Sequence, residues 1–159
     1  MGMVLRSNAC WTPDHPGPAS DDSGYEITSR DIGAGRMHPA ARAYAIDAVH
    51  PRIHSKFSDD YLRKLDGLLP NDRMNQGAIW AIADIHVRAD GALQSVQISR
   101  PSGIADFDQA IVTAVEQSAP YPPPPASIVR GAEITLRWAF ARPEVLGCSA
   151  RDGRVWVVY

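Results

Sequence analysis

The stretch "RPSGIADFDQAIVTAVEQSAPYPPPP", residues 100–125, joins a helical pattern directly to a run of prolines. Asp106 stands three residues before Gln109, a spacing that predicts a capping box at the start of a helix. An apolar stripe at helical spacing follows, formed by Phe107, Ile111, Ala114, Val115 and Ser118. Proline ends a helix and favours an extended chain. We therefore predict a helix that stops at Pro120, followed by a rigid connector over residues 122–125.

On the N-terminal side of this stretch, apolar and polar residues alternate with the period of a β-strand. The alternation runs through residues 79–87 and resumes with Val96 and Ile98, after Asp90 and Gly91. An Asp-Gly pair between two alternating runs is a strong hairpin signal, because glycine adopts the positive φ that a tight turn needs. The sequence therefore predicts a β-hairpin that turns at Asp90 and Gly91.

On the C-terminal side, residues 132–140 alternate more regularly than any other part of the chain. The apolar face would be formed by Ala132, Ile134, Leu136, Trp138 and Phe140, and the opposite face by Glu133, Thr135, Arg137 and Ala139. This pattern predicts a third strand with one apolar and one polar face. The final residues, "RVWVVY", add a fourth strand or dock as a tail.

Before the hairpin, apolar residues recur every four or five positions between Pro39 and Leu65, which predicts helix. Pro51 interrupts the pattern, so we expect two helical pieces or a kink near His50. Residues 1–37 are rich in proline, glycine, serine and aspartate without an apolar period, which is typical of a flexible leader.

Together these elements predict an α+β fold, in which a small antiparallel sheet of about three strands has two helices packed on one face. We expect the domain to span residues 38–148. Residues 149–159 would form a C-terminal tail or an extra edge strand.

The charge balance argues against two classes of partner. The chain has 16 basic and 18 acidic side chains, and no basic block that could follow a nucleic acid or an anionic membrane surface. No apolar run approaches the roughly 18 residues of a membrane span. Cys10 and Cys148 could form one disulfide in an oxidising compartment, and two unconnected thiols are the equal alternative.

The chain carries no clear catalytic or metal-binding signature. His50 and His54 have the spacing of two ligands on one helix face, but no third ligand stands at a matching distance in the sequence. The glycine of "RPSG" has the wrong spacing for a phosphate loop, and we interpret the motif as a turn between strand and helix. We predict no catalytic residue, no metal and no cofactor, and rank a metal-dependent accessory protein last.

The segment "IHVRADGALQSVQISRPSGIADFDQAIVTAVEQSAPYPPPP", followed by "ITLRWAF", resembles the C-terminal domain of the TonB and TolA energy-transducer family. The resemblance covers about residues 40–142. The residues that carry it are Asp90, Gly91, Ser102, Gly103, Phe107, Asp108, Pro120, Pro122, Pro123 and Pro124. It implies a non-enzymatic periplasmic adaptor that binds an outer-membrane receptor or a Tol-system component.

Members of this family usually carry an N-terminal membrane anchor, which connects them to an inner-membrane motor, and a long spacer. This sequence shows neither feature. We therefore expect either a piece of a longer protein or a stand-alone relative that binds without transmitting force.

The last strand is the predicted binding site for a partner protein. An edge strand presents unpaired backbone groups, to which an extended peptide can add by main-chain hydrogen bonds. The predicted contact residues are Glu133, Ile134, Thr135, Leu136, Arg137, Trp138 and Ala139. Two alternatives remain: a homodimer formed by edge pairing, and a structural envelope protein whose tail covers the edge.

Overall fold

The computed structural model describes residues 39–75 and 79–142, together with the backbone of residues 155–158. The predicted leader, Cys10 and Cys148 lie outside the described residues. Within the described ranges, no helix is long and apolar enough to cross a membrane.

The first helix, α1, covers residues 39–65 and alternates between two hydrogen-bond patterns. Its α-helical segments are Pro39–Ala43, His50–His54 and Arg63–Leu65, and its π-helical segments are Tyr44–Val49 and Ser55–Leu62.

The predicted interruption near Pro51 is a change from π to α geometry, and the chain stays helical through it. The His50 N–H donates to the carbonyl of Ala45, five residues back. Pro51 therefore stands in the first turn of an α-helical segment, where its missing N–H and fixed φ cost little.

The predicted hairpin is confirmed by strands β1, Ile79–Arg88, and β2, Leu93–Arg100. In the turn between them, the Gly91 N–H donates to the Arg88 carbonyl at 2.9 Å. The φ of Gly91 is +89°, a conformation that side chains disfavour, so the turn requires glycine at this position.

The second helix, α2, spans Ala105–Ser118 and buries the predicted apolar stripe. The predicted capping box is wrong, because Ile104 occupies the N-cap position and Asp106 lies inside the first turn. The preceding loop closes differently: Asp108 Oδ1 accepts the Ser102 N–H at 3.0 Å, and Ser102 Oγ accepts the Ile104 N–H at 3.0 Å. "RPSG" is thus a turn between strand and helix, as predicted.

The sheet is antiparallel and has the strand order β2-β1-β3-β4, in which β3 is Glu133–Arg142 and β4 is Val155–Val158. Both helices pack on one face, where Phe57 of α1 contacts Phe140 of β3 and Phe107 of α2 with ring centroids 5.0 and 5.7 Å apart. The predicted α+β class with helices on one face is confirmed, and β4 adds a fourth strand beside β3.

The proline-rich segment after α2 is packed against the hairpin turn and α1. The Tyr121 N–H donates to the Gly91 carbonyl at 2.9 Å, and the Tyr44 hydroxyl donates to the Pro122 carbonyl at 2.7 Å. The Tyr121 ring is buried, and its hydroxyl donates to the Val115 carbonyl at 2.9 Å. The segment therefore joins the hairpin, α1 and α2, which agrees with a rigid connector.

Candidate partner-binding strand

The strand β3 lies inside the sheet, between β1 and β4. Its pairing with β4 covers four positions, at which Thr135, Leu136, Arg137 and Trp138 lie opposite Val158, Val157, Trp156 and Val155. The prediction that β3 is the edge strand is therefore wrong over residues 135–138. The "VWVV" segment is rich in β-branched and aromatic residues, which favour strand pairing, and it uses the backbone groups that the prediction left open.

The seven predicted contact residues do not form one exposed patch. Ile134, Leu136 and Trp138 are buried in the main core beneath the helices. Ala139 lies on the opposite face, buried in a small cluster with Trp80, Ile82 and Ala141. Only Glu133, Thr135 and Arg137 combine a polar side chain with partial exposure.

These three polar residues belong to a group that we call the polar ladder: Asp84 and His86 of β1, with Glu133, Thr135 and Arg137 of β3. Arg137 Nε donates to Asp84 Oδ1 at 2.7 Å, and Arg137 Nη2 donates to Asp84 Oδ2 at 2.9 Å. This hydrogen bonding raises the pKa of Arg137 above its usual value. The guanidinium is therefore charged and held in one orientation.

His86 connects the other two members of the polar ladder. Its Nδ1 lies 3.1 Å from Glu133 Oε1 and 3.1 Å from the Thr135 hydroxyl. Cross-strand pairs of this kind stabilise a particular register, because a slip by one residue would move every member to the other face. The sequence predicted a polar face on β3 but not its partners on β1, which are about 50 residues away.

The strands β2 and β3, which flank β1, differ in how regularly they pair with it. The pairing of β3 with β1 continues without interruption from Ile79 opposite Arg142 to Arg88 opposite Glu133. The register of β2 against β1 shifts twice, at Ser99 and at Gln94. Bulges bend and twist an outer strand, and they hinder the addition of a further strand. The outer side of β3 is therefore better suited to pairing with a further strand than the outer side of β2.

His50 and His54, the two histidines considered as metal ligands, lie on the core side of the sheet, where His50 packs against β3. The His50 ring stacks on Trp138 with centroids 6.0 Å apart and an interplanar angle of 8°, and His54 meets His50 edge-on. Burial, and secondly the charge of His54, lowers the pKa of His50 to about 4. In the part of the chain that the structure describes, no three His, Cys, Asp or Glu side chains converge as a metal site would require.

These features define a class of protein: a small α+β domain whose helices cover one face of the sheet and whose β3 side is regular enough for strand pairing. A family model described as "TonB C terminal" matches residues 58–137, half of the chain. The chain belongs to this family, as the resemblance of its sequence implied. Comparisons with curated proteins and with solved structures found no match.

The matched region begins in the second half of α1 and ends at Arg137 of β3. It therefore contains the hairpin, α2, the proline-rich connector and all five residues of the polar ladder. Family membership indicates a TonB-type energy-transducer domain, with protein partners and a location in the cell envelope.

Proposed function

We propose that this chain is a non-enzymatic periplasmic adaptor of the TonB type, and that it binds an extended segment of an outer-membrane receptor or a Tol-system component along the β3 side of its sheet. The observation that carries the proposal is the uninterrupted register of β3, in contrast to the two bulges of β2. The backbone supplies the affinity in this mode of binding, and side chains that flank the new strand supply the specificity.

The seven residues predicted from the sequence have different roles in this proposal. Ile134, Leu136 and Trp138 hold β3 in the core, so that the strand is rigid before a partner arrives. Glu133, Thr135 and Arg137 lie on the other face, where they would meet alternate side chains of an added strand. The proposed contact surface is the backbone of β3 together with these three polar side chains.

The test is a nitrogen-proton NMR titration of the full chain with synthetic peptides from the periplasmic segments of outer-membrane receptors and Tol-system proteins. Scrambled peptides of the same composition are the control. We expect saturable chemical-shift changes at the amides of residues 135–138, and much smaller changes at Gln94 and Gln97 of β2. Changes concentrated on β2, or equal responses to scrambled peptides, would exclude the proposed site.

A second candidate function is a structural envelope protein that keeps its own edge covered. The pairing of β4 with β3 favours this alternative, because it uses the backbone groups that a partner would need. Light scattering across a range of protein concentrations examines the related possibility of self-association. A monomer at all concentrations, combined with binding of receptor or Tol peptides, would favour the adaptor.

A further inference from the structure

We infer that the end of the core between α1 and β3 holds a binding site for a single carboxylate group, formed by the Tyr61 hydroxyl and the Arg142 guanidinium. The inference goes beyond the proposed function and does not depend on strand pairing along β3. Its basis is a pair of buried hydrogen-bond donors, one of them charged, that have no acceptor among the described residues.

The packing of α1 along β3 brings these two residues together. Phe57 contacts Phe140 with ring centroids 5.0 Å apart, and further along both elements the Leu65 carbonyl accepts a hydrogen bond from Arg142 Nη2 at 3.4 Å. Tyr61 is four residues from both Phe57 and Leu65, a spacing that puts all three on one side of the helix. The Tyr61 ring also contacts the Phe57 ring, with centroids 5.7 Å apart. Tyr61 therefore lies beside the end of β3 at Arg142.

The Arg142 guanidinium is held at one nitrogen and lacks a partner at the other. Nη2 donates to the Leu65 carbonyl and to Asn75 Oδ1, whereas the buried Nη1 has no partner among the described residues. The buried Tyr61 hydroxyl has no partner there either. Buried donors in proteins nearly always have an acceptor, because an unpaired donor costs free energy, and a charged one costs more. The structure therefore needs an acceptor at this position.

The charge of Arg142 favours an anion over a water molecule as that acceptor. The Leu65 carbonyl and the Asn75 amide oxygen, its two acceptors among the described residues, are both neutral. A water molecule accepts hydrogen bonds but leaves the positive charge unbalanced. A carboxylate balances the charge, and each of its two oxygens can accept from one donor. Because Tyr61 and Arg142 are only half-buried as residues, a small group can approach them from solvent.

A nearby acidic side chain limits the charge of the ligand. Burial is the main reason that the pKa of Tyr61 is raised; the charge of Arg142 lowers this pKa, and the charge of Asp106 raises it. Both charges therefore act on the Tyr61 hydroxyl. Asp106 is exposed in the first turn of α2, so water screens its repulsion only in part, and a ligand with one negative charge is favoured over a phosphate. The carboxylate belongs to a small organic acid or to an acidic residue of a partner.

The experiment is an NMR titration of the full chain with sodium acetate at pH 6.5 and constant ionic strength. The Arg142 Nε–Hε signal and the Tyr61 ring signals report on the site, and acetamide is the uncharged control of the same shape. Tyr61→Phe removes one donor but no hydrogen bond to a described residue, so this variant should fold. Tyr44→Phe is the matched control, because it removes a hydroxyl of the same helix that is bonded to Pro122.

We expect saturable shifts of these signals with acetate and none with acetamide. Tyr61→Phe should weaken acetate binding about 10-fold, the effect of one hydrogen bond to a charged group, and Tyr44→Phe should leave it unchanged. Asp106→Asn should strengthen acetate binding about two-fold, because it removes a nearby negative charge. The absence of a saturable shift would mean that only water occupies the site, and it would overturn the inference, as would equal affinity in Tyr61→Phe and the unsubstituted chain.

Two peptides distinguish the sources of the carboxylate: acetyl-Ala-Glu-Ala-amide and its counterpart with glutamine. Tighter binding of the glutamate peptide than of acetate would support the inference and assign the site to an acidic residue of a partner. Tighter binding of acetate would support it and assign the site to a small organic acid. Equal binding of the two peptides at Arg142 would overturn it, because the site would then not recognise the negative charge.

Discussion

Arg137 and Asp84 lie directly opposite each other on β3 and β1, and the guanidinium donates two parallel hydrogen bonds to the carboxylate. The two side chains are 25% and 16% exposed, so water screens the pair only partly. Their geometry connects the central strands on the face opposite the helices.

We expect Arg137→Lys to destabilise the fold by about 1–2 kcal/mol, because lysine keeps the charge but cannot form the two-pronged contact. Arg63→Ala is the control, since Arg63 pairs with Asp59 on the exposed side of α1 and should lose less than about 0.5 kcal/mol. Urea unfolding measures both changes. Equal losses would mean that the Arg137–Asp84 pair contributes no more than a surface ion pair.

The close approach of Gly91 to the proline-rich connector provides a second prediction. A Cβ atom at Gly91 would lie 2.1 Å from the Tyr121 carbonyl oxygen, whereas a Cβ at Gly103 would have open space among the described residues. Both glycines have φ near +90°. Gly103→Ala should therefore cost only the backbone strain, about 1–2 kcal/mol.

Gly91→Ala should cost at least about 2 kcal/mol more than Gly103→Ala, because the connector must also move away from the hairpin. Thermal and urea unfolding of the two variants measure this difference. Similar losses would indicate that the connector can shift without weakening its contacts with the hairpin.

Two tyrosines of α1 offer a matched test of hydrogen bonding. The Tyr44 hydroxyl donates to the Pro122 carbonyl, whereas the buried Tyr61 hydroxyl has no hydrogen-bond partner among the described residues. Tyr44→Phe should destabilise the fold by about 1 kcal/mol, and Tyr61→Phe should be neutral or stabilising. Chemical denaturation at pH 7 measures both, and a reversed order would contradict the assigned contact.

The substitution Tyr44→Phe should also change how stability depends on pH under alkaline conditions. Burial raises the pKa of Tyr44 from its ordinary value of 10.0 to about 12. The folded state therefore holds the Tyr44 proton more tightly than the unfolded chain, so stability is present below pH 10 and lost as the pH rises toward 12. The free energy of unfolding should fall less steeply over this interval in Tyr44→Phe than in the unsubstituted chain.

The half-buried histidine beneath β3, His50, leads to a prediction about stability at acid pH. The pKa of His50 is lowered from 6.5 to about 4, and its Nε2 has no hydrogen-bond partner among the described residues. Between pH 6.5 and 4 the unfolded chain binds a proton at His50 that the folded state excludes. Stability is therefore present above pH 6.5 and lost as the pH falls toward 4.

His50→Phe retains a ring against Trp138 and should reduce this acid-dependent loss, which for one group is at most about 1.4 kcal/mol per pH unit. His54→Gln is the control, because it removes only the smaller cause of the lowered pKa. Unfolding free energies at several pH values between 7 and 4 measure the slopes. A slope unchanged in His50→Phe would show that other groups cause the acid sensitivity.

Features that depend on neighbouring residues were predictable from the sequence. The hairpin turn at Asp90 and Gly91, the buried stripe of α2 and the alternation of β3 follow from backbone preference and apolar period, which act within a few residues. The one local error was the capping box, and the break expected near His50 took the form of a change in helix type. Asp108, and not Asp106, accepts a hydrogen bond from the loop before α2, through the Ser102 N–H. The π-helical segment before His50 accommodates Pro51 within α1.

The candidate site was only partly predictable. Its polar face on β3 followed from alternation, and a C-terminal tail that covers the edge was one of the alternatives, but the pairing of β3 with Asp84 and His86 of β1 did not follow. These pairs join residues that are distant in sequence, so their pairing depends on strand order, for which no local rule exists. The same limit explains why β3 was expected at the edge of the sheet.

The sequence by itself determined the secondary-structure elements, the α+β class and the family, because turn residues, hydrophobic periods and a motif in fixed order are properties of short segments. Only the tertiary structure decided which side of the sheet is regular, that β4 lies along β3, and that Arg137 pairs with Asp84. These relationships require the whole core to assemble, since burial of both helices on one face selects the register that brings distant strands together.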